Sequence, residues 1–226
     1  MKSIGIIPAR GGSKGIPHKN VVDLAGKPLI AYTIEEALKS SLNKVVVSTD
    51  CDRICEVATR YGVEIVKRPQ NLSKDDTPTL PVIQHTLTAY NEEFDLIATL
   101  QPTSPLRKAK HIDEAMDLIK KYEDADSLVS VVKVPHNMVP NSLMIKKQDF
   151  IETLEDANEP ILRRQDKSTF YARNGAAIYL TKYEKIKNYI FGGKIVGYEM
   201  NRIEGIDIDD SSDLQLAEIY LKYIER

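Results

Sequence analysis

The chain has 226 residues, of which 42% are hydrophobic and 28% are charged, with a formal net charge of −2 at pH 7. That length is enough for one buried core, and the balanced charge argues against general binding to nucleic acid or to an anionic membrane. The N-terminus lacks the apolar segment of a signal peptide, and no run approaches the roughly 18 residues that span a bilayer, so we expect a cytoplasmic protein.

Short apolar runs alternate with longer amphipathic runs, a pattern typical of an α/β domain with a mostly parallel sheet and flanking helices. We predict a single domain over residues 1–226. Its first strand, Ser3–Ala9, enters a glycine-rich loop that leads to a helix near Leu29–Ser40. Further strands are predicted at Lys44–Ser48, Val63–Lys67 and Asp95–Gln101. One helix is predicted to end at Gly62, and two more to span about Leu80–Glu92 and His111–Tyr122.

The pattern weakens after a strand predicted at Ser127–Val134. Over about residues 135–170, prolines, charges and single apolar residues follow no sustained period. This indicates an excursion from the domain, which we interpret as a dimerisation arm. Regular structure is predicted to return with strands at Gly175–Leu180 and Lys194–Met200 and a final helix at Leu214–Ile224.

The glycine-rich loop carries several cations and no carboxylate. From Ile4 to Asn20 the sequence reads IGIIPARGGSKGIPHKN, which is neither a Walker A sequence nor a G-x-G-x-x-G fingerprint. Glycines allow backbone N–H groups to face an anion, and the cations neutralise its charge. A polyphosphate site is therefore favoured over a mobile turn with solvated cations. The residues concerned are Arg10, Gly11, Gly12, Lys14, Gly15 and Lys19.

A cluster of aspartates lies near the C-terminus. Asp207 and Asp209 are two positions apart and therefore face the same side of an extended segment, where paired carboxylates suit Mg²⁺. Asp210 and Asp213 have the spacing of a helix cap instead. Elsewhere, Asp50 follows a predicted strand and has two interpretations, a site residue or the N-cap of the next helix.

The loop after the strand at Asp95–Gln101 is a second candidate for the site. Ligands of open α/β sheets bind beyond the carboxyl ends of the strands, so we expect this loop and the glycine-rich loop to share one crevice. The four histidines are dispersed, and no serine or cysteine lies in a nucleophile motif. Covalent catalysis is therefore not indicated.

Several motifs together resemble those of the acylneuraminate cytidylyltransferases, or CMP-sialic acid synthetases. They are Ile7–Asn20, Ser48-Thr-Asp50, Arg68-Pro69, Leu100–Arg107, Asn174-Gly175 and Ile206–Asp209. The resemblance runs over nearly the whole chain and implies a Rossmann-like nucleotidyltransferase fold with a protruding dimerisation arm. It also implies that CTP and a nine-carbon α-keto acid sugar give a CMP-sugar and pyrophosphate. The anomeric hydroxyl of the sugar would attack the α-phosphate in line.

The resemblance also implies roles for individual residues. Arg10, Lys19 and Asp209 would be catalytic, and Asp207 with Asp209 would carry Mg²⁺, which offsets charge on the leaving pyrophosphate. Residues implied to contact the nucleotide are Arg10, Gly11, Gly12, Ser13, Lys14, Lys19, Arg68, Thr77 and Thr79. Those implied to contact the acceptor sugar are Gln101, Arg164, Arg173 and Asn174. Similar enzymes are homodimers whose arms complete each other's sugar sites.

One departure from the family pattern concerns the sugar pocket. Relatives often carry an arginine two positions before the asparagine of this motif, whereas this chain has Ala172 there and Arg173 next to it. Either Arg173 substitutes or the pocket has lost a contact. N-acetylneuraminic acid ranks first among acceptors, while legionaminic acid and related nonulosonic acids stay open. Two alternative functions also stay open: a nucleotidyltransferase for another sugar or sugar phosphate, and a non-catalytic nucleotide-binding module.

Overall fold

The structure is a computed structural model that describes residues 1–13, 15–90, 92–154, 169–175 and 177–224. Within these residues the first half consists of β1 (Ser3–Pro8), β2 (Asp23–Leu24), β3 (Lys27–Pro28), α1 (Leu29–Lys39), β4 (Lys44–Thr49), α2 (Asp52–Arg60), β5 (Glu64–Lys67), α3 (Thr79–Ala89) and β6 (Leu96–Thr99). The second half consists of α4 (Ala109–Lys120), β7 (Ser127–Lys133), β8 (Met144–Lys147), β9 (Phe150–Thr153), β10 (Tyr171–Arg173), β11 (Tyr179–Lys182), β12 (Ile195–Met200) and α5 (Ser211–Ile224).

The main sheet has eight strands and is parallel at its centre. β6, β1, β4 and β5 are parallel neighbours, and β11 lies antiparallel between β6 and β7. Residues Ser127–Val129 of β7 pair with both β11 and β12, so these two strands lie on opposite sides of β7. β10 pairs with β7 on the side of β11. The predicted α/β fold with a mostly parallel sheet and flanking helices is therefore confirmed.

The central strand β1 is buried on both faces. Its alternate side chains point to opposite sides of the sheet, as the period of a strand requires. Ile4 and Ile6 pack in a cluster that includes residues of α3, whereas Ile7 packs in a larger cluster with residues of α1, α2 and α4. Burial of each such side chain contributes about 1.5–3 kcal/mol. This two-sided burial explains why β1 reads as a continuous apolar run in the sequence.

The bounds predicted for the strand at Gly175–Leu180 are wrong, because the strand there, β11, begins only at Tyr179. It follows β10 and a turn in which Ala177 N–H donates to the Asn174 carbonyl (3.2 Å). Gly175 lies in this turn with a φ of +61°. That left-handed conformation is incompatible with a continuous strand. The prediction placed the start of the strand too early because the residues after Gly175 are apolar.

Two expectations about helix starts have opposite outcomes. Asp50 is not an N-cap, because α2 begins at Asp52 after Cys51, and the Asp50 carboxylate accepts the Gly11 N–H (3.0 Å) instead. At α5 the predicted cap is confirmed. Asp210 Oδ1 accepts the N–H of Asp213 (3.1 Å), and Asp213 Oδ2 accepts the N–H of Asp210 (3.1 Å). These bonds satisfy backbone donors that the first turn of a helix leaves free.

The described part of the predicted excursion contains a hairpin outside the main sheet. β8 and β9 pair antiparallel from Met144 with Thr153 to Lys147 with Phe150, and every residue of both strands is exposed. Residues 155–168 of the predicted arm lie outside the described residues. The role of this hairpin as a dimerisation arm stays a prediction. In the part of the chain that the structure describes, no helix combines the length and apolar character needed to cross a bilayer.

Candidate active site

An open cavity of about 370 Å³ lies where β1, β5 and β6 end. This is the edge of a parallel sheet at which ligands commonly bind. The sequence-predicted residues that line it are Arg10, Gly12, Ser13, Lys19, Arg68, Thr77, Thr79, Gln101 and Asp209. Gly11 directly precedes Gly12, while Lys14 and Arg164 lie outside the described residues. The glycine-rich loop and the loop after β6 therefore share one crevice, as expected.

Two side chains hold the start of the glycine-rich loop, one from outside the loop and one from the loop's own end. Gly11 N–H donates to Asp50 Oδ1 (3.0 Å), and Asn20 Nδ2 donates to the Arg10 carbonyl (2.9 Å). Asp50 follows β4, and Asn20 lies in a short 3₁₀ helix at the far end of the loop. The start of the loop is thus fixed by the residue that follows β4 and by the 3₁₀ helix at the end of the loop.

The loop is also packed against residues 206–209, which follow β12 and which we call the aspartate segment. Lys19 Nζ donates to the Ile208 carbonyl (2.7 Å) and lies 3.4 Å from Asp209 Oδ1. At Gly15 a Cβ atom would lie 2.4 Å from the Asp209 carbonyl oxygen. Only glycine permits this approach of two backbones. The glycine therefore brings cations of the loop next to carboxylates of the aspartate segment.

Arginines contribute further positive charge to the cavity. Arg10 Nη1 lies 2.5 Å from Asp75 Oδ1. Arg68 is 8% exposed, and its Nη2 donates to the Ser48 carbonyl (2.9 Å). Burial lowers the pKa of Arg68 to about 10, while the nearby Asp50 raises it and Arg10 lowers it. Arg68 therefore stays charged at neutral pH. Arg10, Arg68 and Lys19 around one cavity suit a polyphosphate.

The Asp207 side chain is largely shielded from solvent. Burial raises the pKa of its carboxyl to about 6, the Thr103 hydroxyl opposes this rise by hydrogen bonding, and the negative charge of Asp209 adds to it. Among the residues that the structure describes, its buried Oδ1 has no hydrogen-bond partner. A carboxylate oxygen left without a partner beside a second carboxylate fits a divalent cation.

The donor set around Asp207 and Asp209 is small. The described residues contain no group of three histidine, cysteine, aspartate or glutamate side chains able to hold a metal. Mg²⁺ commonly takes only one or two carboxylates from protein and completes its shell with phosphate oxygens and waters. The pair therefore fits a cation that arrives with a phosphate ligand, and not a closed structural metal site.

Two residues expected in the sugar pocket do not line the cavity. Arg173 is exposed, with its guanidinium carbon 4.9 Å from the centre of the Phe191 ring. Asn174 is buried, and its Oδ1 accepts the Ser130 hydroxyl (2.7 Å). Both lie beside Gly175, which packs against the Asp207 carboxylate. Their contact with a sugar stays a prediction.

Other cavity residues were not proposed as site residues from the sequence. Asn20, Thr103 and Asp75 line the cavity with the predicted set. Asn20 and Thr103 belong to motifs of the family resemblance, so the signal to find them was present. Asp75 belongs to no such motif. Its contact with Arg10 depends on the fold of the loop before α3, which the sequence does not reveal.

A family model described as "Cytidylyltransferase" matches residues 4–226. An N-acylneuraminate cytidylyltransferase of Escherichia coli O18:K1:H7 is 36% identical over 219 residues, covering 96% of this chain and 51% of the relative. N-acylneuraminate cytidylyltransferase A of Danio rerio is 39% identical over 219 residues, covering 94% and 49%. The chain thus spans about half the length of the curated relatives it matches.

Solved structures are similar over nearly the entire chain. A CMP:2-keto-3-deoxy-manno-octonic acid synthetase complexed with CTP has a TM-score of 0.76 at 17% identity, covering 99% of this chain and 100% of that one. A 4-diphosphocytidyl-2C-methyl-D-erythritol synthase of Anaerococcus prevotii has a TM-score of 0.64 at 13% identity, covering 98% of each. These likenesses confirm the Rossmann-like nucleotidyltransferase fold.

Proposed function

Because the chain belongs to the cytidylyltransferase family, we propose that it transfers a cytidylyl group from CTP to a nonulosonic acid and releases pyrophosphate. The observation that carries the proposal is a single cavity surrounded by Arg10, Lys19 and Arg68 with Asp209 at its edge. Arg10 and Lys19 neutralise part of the charge of a triphosphate, and Arg68 adds positive charge near the nucleoside. The names of the relatives, which are N-acylneuraminate cytidylyltransferases, support an acceptor of this class. We propose N-acetylneuraminate as the first acceptor and a legionaminate-like sugar as the second.

The reaction needs no protein nucleophile. The anomeric hydroxyl of the sugar loses its proton to solvent and attacks the α-phosphorus, and a new P–O bond forms. The bond to the β-phosphate oxygen breaks, so that pyrophosphate leaves with the electron pair. Arg10 and Lys19 stabilise the charge on the phosphates, and the backbone N–H group of Gly12 adds to this stabilisation, while the Gly11 N–H holds the loop to Asp50. The acceptor hydroxyl is oriented through the Gln101 side chain. Most of the catalytic effect then comes from orientation and electrostatics.

Further residues would hold the nucleoside and the cation. Arg68, Thr77 and Thr79 line the cavity on the side of α3, and we assign them to the ribose and cytosine. Asp207 and Asp209 would hold Mg²⁺, which when bound neutralises charge that develops on pyrophosphate. We also propose that the protein acts in the cytoplasm.

We also propose a homodimer formed through the β8–β9 hairpin. An isolated two-stranded hairpin is marginally stable in water, so this one needs a surface to pack against. Phe150 and Ile151 are 75% and 63% exposed, which is unusual for large apolar side chains on the same strand. A second copy of the chain would cover them.

A screen of pyrophosphate release tests the reaction. CTP, UTP, dTTP and GTP are each combined with Mg²⁺ and with N-acetylneuraminic acid, legionaminic acid or a sugar 1-phosphate. We expect release only with CTP and a nonulosonic acid. Release with a sugar 1-phosphate and another nucleotide, but not with CTP and a nonulosonic acid, would identify a different nucleotidyltransferase. Binding of CTP without release in any combination would indicate a non-catalytic module.

A further inference from the structure

Arg107 is fully buried although it carries a charge. It ends the motif that begins at Leu100, and its side chain is 0% exposed. Its Nη1 donates to the carbonyls of Ala177 (2.6 Å) and Gln101 (3.2 Å), and its Nη2 donates to Thr33 Oγ1 (2.7 Å). The guanidinium thus joins the end of β6, helix α1 and the chain just after the turn at Gly175.

This charge has no direct ionic partner among the residues that the structure describes. Burial lowers the pKa of Arg107 to about 9, and the charge of Glu36 opposes this. Glu36 itself accepts the Ala109 N–H (2.8 Å). A buried ion costs several kcal/mol in desolvation, and apolar side chains would fill the same volume without that cost. Packing alone therefore gives no reason for an arginine here.

The described residues proposed to contact the acceptor sugar, Gln101, Arg173 and Asn174, form what we call the acceptor half of the site. The carbonyls that Arg107 binds lie on two sides of this half. Gln101 lines the cavity, and Ala177 ends the turn that contains Asn174 and Gly175. Thr33 Oγ1 also donates to the Gln101 carbonyl (3.4 Å), so α1 supports the same point. We propose that Arg107 is a positioning residue that fixes the Gln101 loop against the turn at Gly175 and so sets the geometry of the acceptor half. The proposal rests on the function proposed above.

The nucleotide half of the site is held by other contacts. Of the described residues, those that receive hydrogen bonds from Arg107 are Gln101, Ala177 and Thr33. The glycine-rich loop is fixed instead by Asp50 and Asn20. Loss of the Arg107 contacts should therefore affect the acceptor far more than CTP.

Steady-state kinetics of Arg107→Met and Arg107→Lys separate the two halves. We expect the KM for the acceptor to rise at least about tenfold in Arg107→Met, because small misplacements of substrate-orienting groups have effects of this size or larger. The KM for CTP should stay within about threefold of the wild-type value. The acceptor KM of Arg107→Lys should lie between those of the wild type and Arg107→Met, because an ammonium group keeps some of the hydrogen-bond donors. Equal rises in both KM values, or an unchanged acceptor KM, would overturn the proposal.

A milder variant protects the test against misfolding. Thr33→Val keeps Arg107 and removes the hydroxyl that accepts its Nη2, so we expect a rise of about threefold in the acceptor KM alone. Thr181→Val is the matched control, because Thr181 is 1% exposed like Thr33 and its hydroxyl donates to the Ile190 carbonyl away from the cavity. It should change neither KM. An acceptor KM unaffected by Thr33→Val, with Arg107 variants that do not fold, counts against the proposal.

Hydrogen exchange on the unliganded protein tests the same contacts without activity. In Arg107→Met, or in Thr33→Val if the first does not fold, peptides that contain Ala177 should exchange at least about tenfold faster than in the wild type. Peptides from β4 should be unchanged. Equal protection of Ala177 would contradict the proposal. If wild-type protein releases no pyrophosphate with any acceptor, the proposed function fails and the exchange result still decides the role of Arg107.

Discussion

Two of the cations that would bind phosphate each contact a carboxylate in the structure. Asp75 pairs with Arg10 at 2.5 Å, and Asp209 lies 3.4 Å from Lys19 Nζ. The Asp75 side chain is 49% exposed, so its pairing with Arg10 is a solvent-screened contact of small net energy. A triphosphate would therefore displace Asp75 from Arg10 at little cost.

Asp75→Asn tests this competition. Removing the charge frees Arg10 for phosphate and makes the cavity more positive, so we expect CTP to bind about threefold to fivefold more tightly by titration calorimetry. Asp76→Asn is the control, because Asp76 is an exposed neighbour that does not line the cavity. CTP affinity that is unchanged or weaker in Asp75→Asn, or equally improved in both variants, would show that Asp75 does not compete.

Neighbouring aspartates should have separate roles. In Asp209→Ala we expect Mg²⁺-dependent turnover to fall at least about a hundredfold with little change in thermal stability, because the carboxylate is a proposed cation ligand on an exposed segment. Asp210→Ala should keep turnover and lose about 1 kcal/mol of stability, because Asp210 caps α5. Pyrophosphate release and thermal unfolding measure both effects. Full activity of Asp209→Ala would remove Asp209 from the mechanism.

At the scale of elements, the turn between β10 and β11 connects the sugar side of the site to the aspartate segment. A Cβ atom at Gly175 would lie 1.9 Å from Asp207 Oδ2, and the φ of Gly175 is +61°. The turn and the segment of Asp207 are therefore packed together at a point where no side chain fits. Thr103 adds a second connection, because its carbonyl accepts the Ile208 N–H (2.8 Å).

Gly175→Ala tests whether this packing positions Asp207. The substitution must move the Asp207 carboxylate, so we expect a loss of at least about tenfold in Mg²⁺-dependent turnover. Gly62→Ala is the matched control, because Gly62 has a similar φ of +68° but no atom within 4 Å of the added Cβ. Both variants should lose about 1 kcal/mol of stability from the backbone conformation. Equal turnover in the two variants would contradict the role of the turn.

At the scale of the whole molecule, the exposed apolar surface of the β8–β9 hairpin predicts self-association. Light scattering should give about twice the chain mass of 25.5 kDa for the wild type. Phe150→Glu places a charge in the proposed interface and should shift the protein toward monomer. Tyr223→Glu is the control, because Tyr223 on α5 has an exposure of 77% against 75% for Phe150. A monomeric wild type, or equal effects of both variants, would contradict the proposed dimer.

The sequence predicted the parts of the fold that depend on local periodicity. The apolar run around Ile4, Ile6 and Ile7 predicts a strand, and the structure has β1 there with both of its faces buried. The cavity residues of the glycine-rich loop follow from the same reasoning, because the carboxyl ends of parallel strands share one edge of the sheet.

The expectations that failed depend on contacts between distant residues. The N-cap is one of two interpretations that the sequence allows for Asp50, yet its carboxylate accepts the N–H of Gly11, 39 positions away in the chain. The break at Gly175 depends on a left-handed conformation that a strand pattern does not encode. Nothing in the sequence indicates that Arg107 is buried with no ion pair to any residue that the structure describes. Such features become visible only when the packing of the chain is known.

Isotope tracing tests the central claim most directly. A nonulosonic acid labelled with ¹⁸O in its anomeric hydroxyl is incubated with CTP, Mg²⁺ and the protein, and the product is analysed by mass spectrometry and ³¹P NMR. If the anomeric hydroxyl attacks the α-phosphorus, the CMP-sugar keeps the label in the oxygen that bridges phosphorus and the anomeric carbon, and the pyrophosphate is unlabelled. A CMP-sugar without the label, or no CMP-sugar at all, would contradict the account.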